Sequence, residues 1–420
     1  MTSFFNAIPL APRDPILGVS EAVNADSRPG KVNLGVGVYY DDSGRIPVLD
    51  SVRQAEARIA AESAPRGYLP IDGVPGYVKA VQALVFGADA RAVSEGRVVT
   101  AQCLGGTGAL RMAADFLRRF NTGADVWISD PSWENHRALF ESAGFRVQVY
   151  PYYDASTRGL DFAGMQASLA TLAPGSIVVL HVCCHNPTGV DPTPEQWHNL
   201  VDIAAARGLV PILDLAYQGF ARGLDADAGP VRWFVEAGVP VFVANSFSKN
   251  FSLYGERVGA LSIVTASADS AARVLSQLKR VIRTSYSNPP THGARVVATV
   301  LGDAALRALW EQELGAMRER IKAMRQALVN SVEGAGHNID FSFVLRQNGM
   351  FSYSGLGVDD VTRLREDHGI YAVDSGRICV AALNDSEGQP TSRGRFPRAW
   401  PCASPPSACD GRWRRWPGPG

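Results

Sequence analysis

Val241-Phe242-Val243-Ala244-Asn245-Ser246-Phe247-Ser248-Lys249-Asn250 is the stretch on which the reading of this chain turns. Its first half is an apolar run of strand length, rich in β-branched and aromatic side chains, and its second half is a lysine flanked by hydroxyls. A lysine so placed is held at a strand end with its amine free. Arg257 follows shortly after it, and Asp214 and Tyr217 precede it.

The surrounding sequence repeats this rhythm. From about residue 97 to 264, apolar strands at 98–103, 126–129, 146–150, 177–182, 209–214, 241–245 and 258–264 alternate with helical stretches. One helix is expected over 107–120, where Ala109, Met112, Ala113, Phe116, Leu117 and Phe120 recur at helical spacing. The alternation predicts an α/β fold with three layers, a mainly parallel sheet covered on both faces. Ligands of such sheets bind beyond the carboxyl ends of the strands. Gly105-Gly106-Thr107-Gly108, Asn186, Asp214 and Lys249 all fall at or just after strand ends, so residues spread over nearly 150 positions converge on one crevice.

The residue types in that crevice suit an aldehyde cofactor bearing a phosphate, namely pyridoxal phosphate. Such a site needs an amine to form a Schiff base, a carboxylate to keep a pyridine nitrogen protonated, and cations or backbone amides for the phosphate. Lys249, Asp214 and Arg257 answer these needs in turn. Asp214 ends the apolar run Leu209-Val210-Pro211-Ile212-Leu213, where an unpaired charge is costly, and a protonated ring nitrogen would pair it. Gly105-Gly106-Thr107 opens the 107–120 helix with backbone amides at its positive terminus, which suits a phosphate dianion. Each feature alone has an ordinary structural reading, as a solvated lysine, a turn aspartate or a glycine packing turn.

Composition excludes other classes. The 420 residues hold 41 Lys plus Arg against 41 Asp plus Glu, so no charge excess favours nucleic acid or an anionic membrane. No segment approaches the apolar length of a membrane span, and the N-terminus lacks a signal or transit pattern, which predicts a cytoplasmic enzyme of small molecules. The six cysteines read as buried thiols. His181, Cys183 and His185 alternate as if along one strand and mimic a metal site, but the run Ile177-Val178-Val179-Leu180 favours a buried strand, and no metal is expected.

A long helix over about 304–332 would carry the chain into a smaller α+β domain. Residues 1–45 would join 317–384 in that domain, and 46–316 would form the large one. Residues 385–420 differ in kind, with seven Pro, five Gly, six Arg and three Trp but no Val, Ile, Leu or Lys. That composition predicts a disordered tail, and its abrupt onset resembles a shifted reading frame.

With these residues placed, the chain resembles the class I aminotransferases of pyridoxal-phosphate fold type I, in the aspartate and bacterial aromatic amino acid branch. The resemblance runs from about Phe4 to Asn384. It rests on Asn33-Leu34-Gly35-Val36-Gly37-Val38-Tyr39, Tyr68-Leu69-Pro70-Ile71-Asp72-Gly73, Gly105-Gly106-Thr107-Gly108, His185-Asn186-Pro187-Thr188-Gly189, Ser246-Phe247-Ser248-Lys249, Tyr286-Ser287-Asn288-Pro289-Pro290 and Gly376-Arg377-Ile378.

The resemblance implies catalytic roles for Lys249, Asp214 and Tyr217. Lys249 would hold the cofactor and shuttle a proton, Asn186 and Tyr217 would bond its phenolic oxygen, Trp133 would stack on its ring and His136 would orient Asp214. Ser246, Arg257, Gly106 and Thr107 would bind the phosphate, joined by Tyr68 of a second subunit in a homodimer. Arg377 would grip the substrate α-carboxylate, with Gly37, Trp133 and Asn186 around it. Arg283 would reach across the dimer to a side-chain carboxylate, and the small Ser285 nearby leaves room for an aromatic ring. The expected reaction is amino transfer between an aromatic or dicarboxylic amino acid and a 2-oxo acid such as 2-oxoglutarate. A β-decarboxylase, a racemase or a non-catalytic cofactor-binding protein are the alternatives.

Overall fold

The computed structural model describes residues 4–11, 14, 16–334 and 340–384. The Pro- and Arg-rich segment 385–420, whose disorder the composition predicts, lies outside the described residues.

Seven strands form the main sheet: β1 (Val98–Leu104), β2 (Val126–Asp130), β3 (Val147–Pro151), β4 (Ile177–His181), β5 (Val210–Leu215), β6 (Val241–Ser246) and β7 (Val258–Val264). Each lies within one or two residues of its sequence expectation. Their order is β1-β7-β6-β5-β4-β2-β3. Pairings from β6 through β3 are parallel, whereas β7 runs antiparallel to both of its neighbours. The start of β7 therefore lies at the same edge as the carboxyl ends of the other six strands.

The strands read as continuous apolar runs because both faces are covered. Along β6, Val241 and Val243 enter one core while Phe242 and Ala244 enter the other. The second core receives Ala109, Met112, Ala113, Phe116 and Leu117 of the Gly105–Phe120 helix, together with Leu278, Val281 and Ile282 of the Ala268–Ser285 helix. The first core receives Trp197 and Leu200 of the Pro194–Arg207 helix, Val231 and Phe234 of Leu224–Glu236, and Trp310 and Leu314 of the long Ala304–Gly334 helix. Helix, sheet and helix give the three layers that the alternation implied.

Segments near the start and the end of the described chain meet beside this sheet. Val32–Asn33 pairs in parallel with Ile370–Tyr371, and Phe351–Tyr353 pairs antiparallel with Arg377–Cys379. Leu34 accepts from the Cys379 amide (2.8 Å) and donates to the Tyr371 carbonyl (2.7 Å). The helix that leads there is unbroken across 31 residues, with Leu306 through Val332 buried along one stripe.

One local expectation changes. β4 ends at His181, so Cys183 and His185 lie in the following turn and do not share a strand face with it. His185 is fixed by Ser129 (2.9 Å) and Thr188 (2.8 Å) and stacks on Tyr152 at 3.8 Å. The described cysteines, Cys103, Cys183, Cys184 and Cys379, are free and buried.

Candidate active site

At the carboxyl edge of the sheet lies a cavity of about 460 Å³. Gly106 and Thr107 reach it from the end of β1, Trp133 from beyond β2, Asn186 from the turn after β4, Asp214 from β5 and Tyr217 from just after it, and Ser246 from β6 and Lys249 from the turn that follows. Arg257 reaches it from the residue before β7, which the reversal of that strand makes possible. Gly37 and Arg377 complete it from the early and late segments that pair beside the sheet. Of the residues named from sequence, these eleven share one cavity.

Tyr68 and Arg283 do not line it. Tyr68 is 95% exposed, and Arg283 is exposed at the end of its helix, where it donates to Ser287 Oγ.

Lys249 sits in a turn that its neighbours hold fast. Phe247 and Phe251 are fully buried edge to face, Phe251 stacks on Trp310 at 4.5 Å, and Trp310 Nε1 donates to the Asn250 carbonyl (2.7 Å). The amine is left facing the cavity, 5.1 Å from the Tyr217 ring centre. Burial pulls its pKa down to about 8, opposed by the Asp214 charge and assisted by Arg257 and Arg377. Near neutral pH a useful fraction of the amine is therefore unprotonated and nucleophilic.

Asp214 is 5% exposed. Burial pushes its carboxyl up, but the hydrogen bond from His136 and the charges around it outweigh this, and the net shift is below the ordinary value. His136 Nε2 donates to Asp214 Oδ2 at 3.0 Å, and in that tautomer Nδ1 accepts from Ser132 Oγ at 3.0 Å. His181 stands beside this pair and, with it, brings three ligand-type atoms within 4.8 Å. The hydrogen-bonded chain runs Ser132–His136–Asp214 and orients the carboxylate, while His181 Nε2 has no partner among the described residues. Burial keeps His181 neutral, with a pKa of about 3.

An anion cradle lines the same cavity. The Gly105–Phe120 helix presents its N-terminus, and Arg257 is aimed by bonds to Ser248 Oγ (3.2 Å) and the Tyr254 carbonyl (3.0 Å). The glycines are needed here. Gly105 has φ +70°, and a Cβ on it would lie 2.5 Å from Arg257 Nη2; a Cβ on Gly106 would lie 3.2 Å from Ser246 Cβ.

Arg377 is 1% exposed and forms no ion pair among the described residues. Its Nη1 donates to Asn186 Oδ1 (3.0 Å) and its Nη2 to the Gly35 carbonyl (2.6 Å), while its guanidinium lies 4.3 Å from the centre of the Phe351 ring. Nε has no partner. A buried cation without a counter-charge is costly, which leaves Arg377 suited to an anionic ligand.

Sequence reasoning missed Phe351, Tyr254 and Ser248 as lining residues. Ser248 and Tyr254 lie in the quoted stretch or just after it and were within reach. Phe351 sits in a region with no chemical signal.

The sequence model of the family described as "Aminotransferase class I and II" matches residues 29–389. The chain belongs to that family. This aminotransferase is 62% identical over 385 residues to the aspartate aminotransferase of Pseudomonas aeruginosa, covering 91% of this chain and 96% of the relative. It is 51% identical over 379 residues to the aromatic-amino-acid aminotransferase of Escherichia coli, covering 90% and 95%. The crystal structure of an aromatic-amino-acid aminotransferase from Burkholderia pseudomallei, covalently bound to pyridoxal phosphate, superposes with a TM-score of 0.89 at 63% identity, covering 91% of this chain and 96% of that one. Among the described residues, no helix of this aminotransferase is long and apolar enough to cross a membrane.

Proposed function

We propose that this aminotransferase uses pyridoxal phosphate to exchange amino groups between aromatic or dicarboxylic amino acids and 2-oxo acids such as 2-oxoglutarate. The observation that carries the reading is the convergence, in one cavity, of a low-pKa amine, a buried carboxylate held anionic, a helix-terminus anion cradle and an uncompensated arginine. These residues fit the cofactor: the glycines leave space beside Arg257 and Ser246, and the carboxylate lines the same cavity as that cradle. When bound, the cofactor supplies an aldehyde that accepts the amino group and a cationic ring that takes up the electrons of the Cα–H bond.

The protein does the rest. Lys249 anchors the cofactor covalently and moves the proton at the substrate α-carbon. Asp214, oriented by His136, holds the ring nitrogen protonated, and Trp133 stacks on the ring. Asn186 and Tyr217 hydrogen-bond the phenolic oxygen. Gly106, Thr107, Ser246 and Arg257 hold the phosphate. Arg377 grips the substrate α-carboxylate, with Gly37, Trp133 and Asn186 as its surroundings.

Tyr68 and Arg283 enter this scheme from a second copy of the chain. Their exposure in one chain supports a homodimer with shared sites, Tyr68 reaching the phosphate and Arg283 the side-chain carboxylate. The relatives named for aspartate and for aromatic amino acids lie at similar identities, which supports acceptance of both classes. We place residues 46–316 in a large domain and 1–45 with 317–384 in a small one, and assign the enzyme to the cytoplasm.

The test is spectroscopic. Purified protein loaded with pyridoxal phosphate is expected to absorb in the visible, to lose that band on mixing with aspartate or phenylalanine, and to regain it with 2-oxoglutarate. A band that neither amino acid alters overturns the reading.

A further inference from the structure

A buried arginine outside the cavity is tied to it through a single strand. Arg325 lies on the inner face of the Ala304–Gly334 helix and is 2% exposed. Its four hydrogen bonds all go to uncharged oxygens. Nη1 donates to the Val344 carbonyl (3.1 Å) and to Ser352 Oγ, and Nη2 donates to the carbonyls of Gly349 (2.8 Å) and Phe351 (2.6 Å). Burying a cation among carbonyls costs free energy that an apolar side chain would not. The return is geometric, since one planar fork fixes both sides of a turn.

That turn carries Phe351. Its ring is the surface on which the Arg377 guanidinium lies, at 4.3 Å, and it is wedged against Gly37, where a Cβ would come within 2.5 Å of Phe351 Cζ. The same segment is held from its other end. Asn348 donates from Nδ2 to Asp191 (3.1 Å) and from its amide to the Gly189 carbonyl (2.6 Å). Asp191 in turn accepts from the amides of Cys184 and His185, both at 2.9 Å, in the turn that delivers Asn186 to Arg377.

We propose that Arg325 is a positioning residue for the substrate α-carboxylate: by clamping the backbone of residues 349–352 it fixes the Phe351 ring, and through it the aim of Arg377. Every substrate carries that carboxylate. The contribution is therefore the same for aromatic and dicarboxylic amino acids and for 2-oxo acids, and of the cofactor's proposed contacts Arg377 touches only Asn186, while the phosphate contacts and Asp214 stand apart from the clamp. The inference rests on the assignment of Arg377 to the α-carboxylate.

The experiment compares Arg325→Lys, which keeps an amine donor but loses the planar fork, with Ser352→Ala, which removes one acceptor, and with Arg377→Lys as reference. KM and kcat are measured for aspartate and for phenylalanine, and cofactor affinity by absorbance. Arg325→Lys is expected to raise KM for both amino acids by a similar factor, roughly 10–100-fold for an anchor displaced by about an ångström. Ser352→Ala is expected to show the same pattern more weakly, and both are expected to bind pyridoxal phosphate within about twofold of the parent. Should Arg325→Lys fail to fold, Ser352→Ala carries the same test. Unchanged KM, a loss confined to one amino acid, or a parallel fall in cofactor affinity overturns the proposal. If Arg377→Lys also leaves KM unchanged, the reading of Arg377 itself has failed.

Discussion

His136 Nε2 lies 3.0 Å from Asp214 Oδ2, a hydrogen bond from a buried imidazole to a buried carboxylate. Burial alone pushes Asp214 towards its neutral form, and the bond from His136 is the largest opposing influence. His136→Phe is therefore expected to raise the Asp214 pKa and to weaken cofactor binding by about 1–3 kcal/mol, the cost of a buried group left unpaired. His136→Asn, which retains a donor, is expected to recover part of the loss. Equilibrium cofactor binding measured across pH checks both.

The Lys249 amine gives a pH dependence of definite sign. Its native pKa of about 8 is below the ordinary 10.5, so between these values the folded chain binds fewer protons than the unfolded one. Stability contributed by this group rises with pH through that window. Capture of pyridoxal phosphate by the cofactor-free chain is expected to accelerate as pH rises towards 8 and to level off above it. Because the Asp214 charge raises this pKa, Asp214→Asn is expected to move the midpoint downwards. Stopped-flow absorbance would record both curves, and an upward move would contradict the assignment.

Lys249→Ala is expected to lose transamination by many orders of magnitude, since covalent anchoring and proton transfer disappear together. Phosphate contacts persist in this variant, so weakened, non-covalent cofactor binding is expected to remain. Substantial turnover by the alanine variant would show that another group moves the proton.

For Arg283 the expectation is selective. Arg283→Leu is expected to reduce aspartate and glutamate turnover by about 2–5 kcal/mol in kcat/KM, because a substrate carboxylate is left buried without its partner, and to spare phenylalanine and tyrosine. Equal losses in both classes would remove Arg283 from side-chain recognition.

Gly105→Ala tests the anion cradle. The left-handed φ of +70° costs a side chain about 1–2 kcal/mol. The new Cβ also displaces the Arg257 guanidinium, which is the far end of a flexible side chain and can yield. A folded variant that releases pyridoxal phosphate faster on dialysis is the expected result. Retention equal to that of the parent would place the phosphate elsewhere.

The sheet was legible because its strands are buried on both faces, so Val241-Phe242-Val243-Ala244 needs no alternation to be recognised. The reversal of β7 was not, since a strand buried on both faces carries no mark of its direction. Site residues at strand ends were legible because each is a polar group that interrupts an apolar run, as Asp214 and Lys249 do. Arg325 was hidden by the opposite circumstance: on an amphipathic helix an arginine reads as a solvent-facing charge, and its acceptors are backbone carbonyls, which every sequence contains. Tyr68 and Arg283 could be named only by resemblance, because nothing local to either points to a neighbouring chain.

The bond from Arg377 to the Gly35 carbonyl joins residues 342 positions apart. Closing so long a loop is among the slowest steps in forming a native topology, because its entropy is lost before its contacts are gained. The carboxylate pocket therefore cannot exist during most of synthesis, when Gly35 is already outside the ribosome and Arg377 is not yet made. A newly made chain has no affinity for its substrates until its first and last described segments have docked. On the proposed role of Arg377, each substrate carboxylate that binds from then on holds these two segments together by mass action.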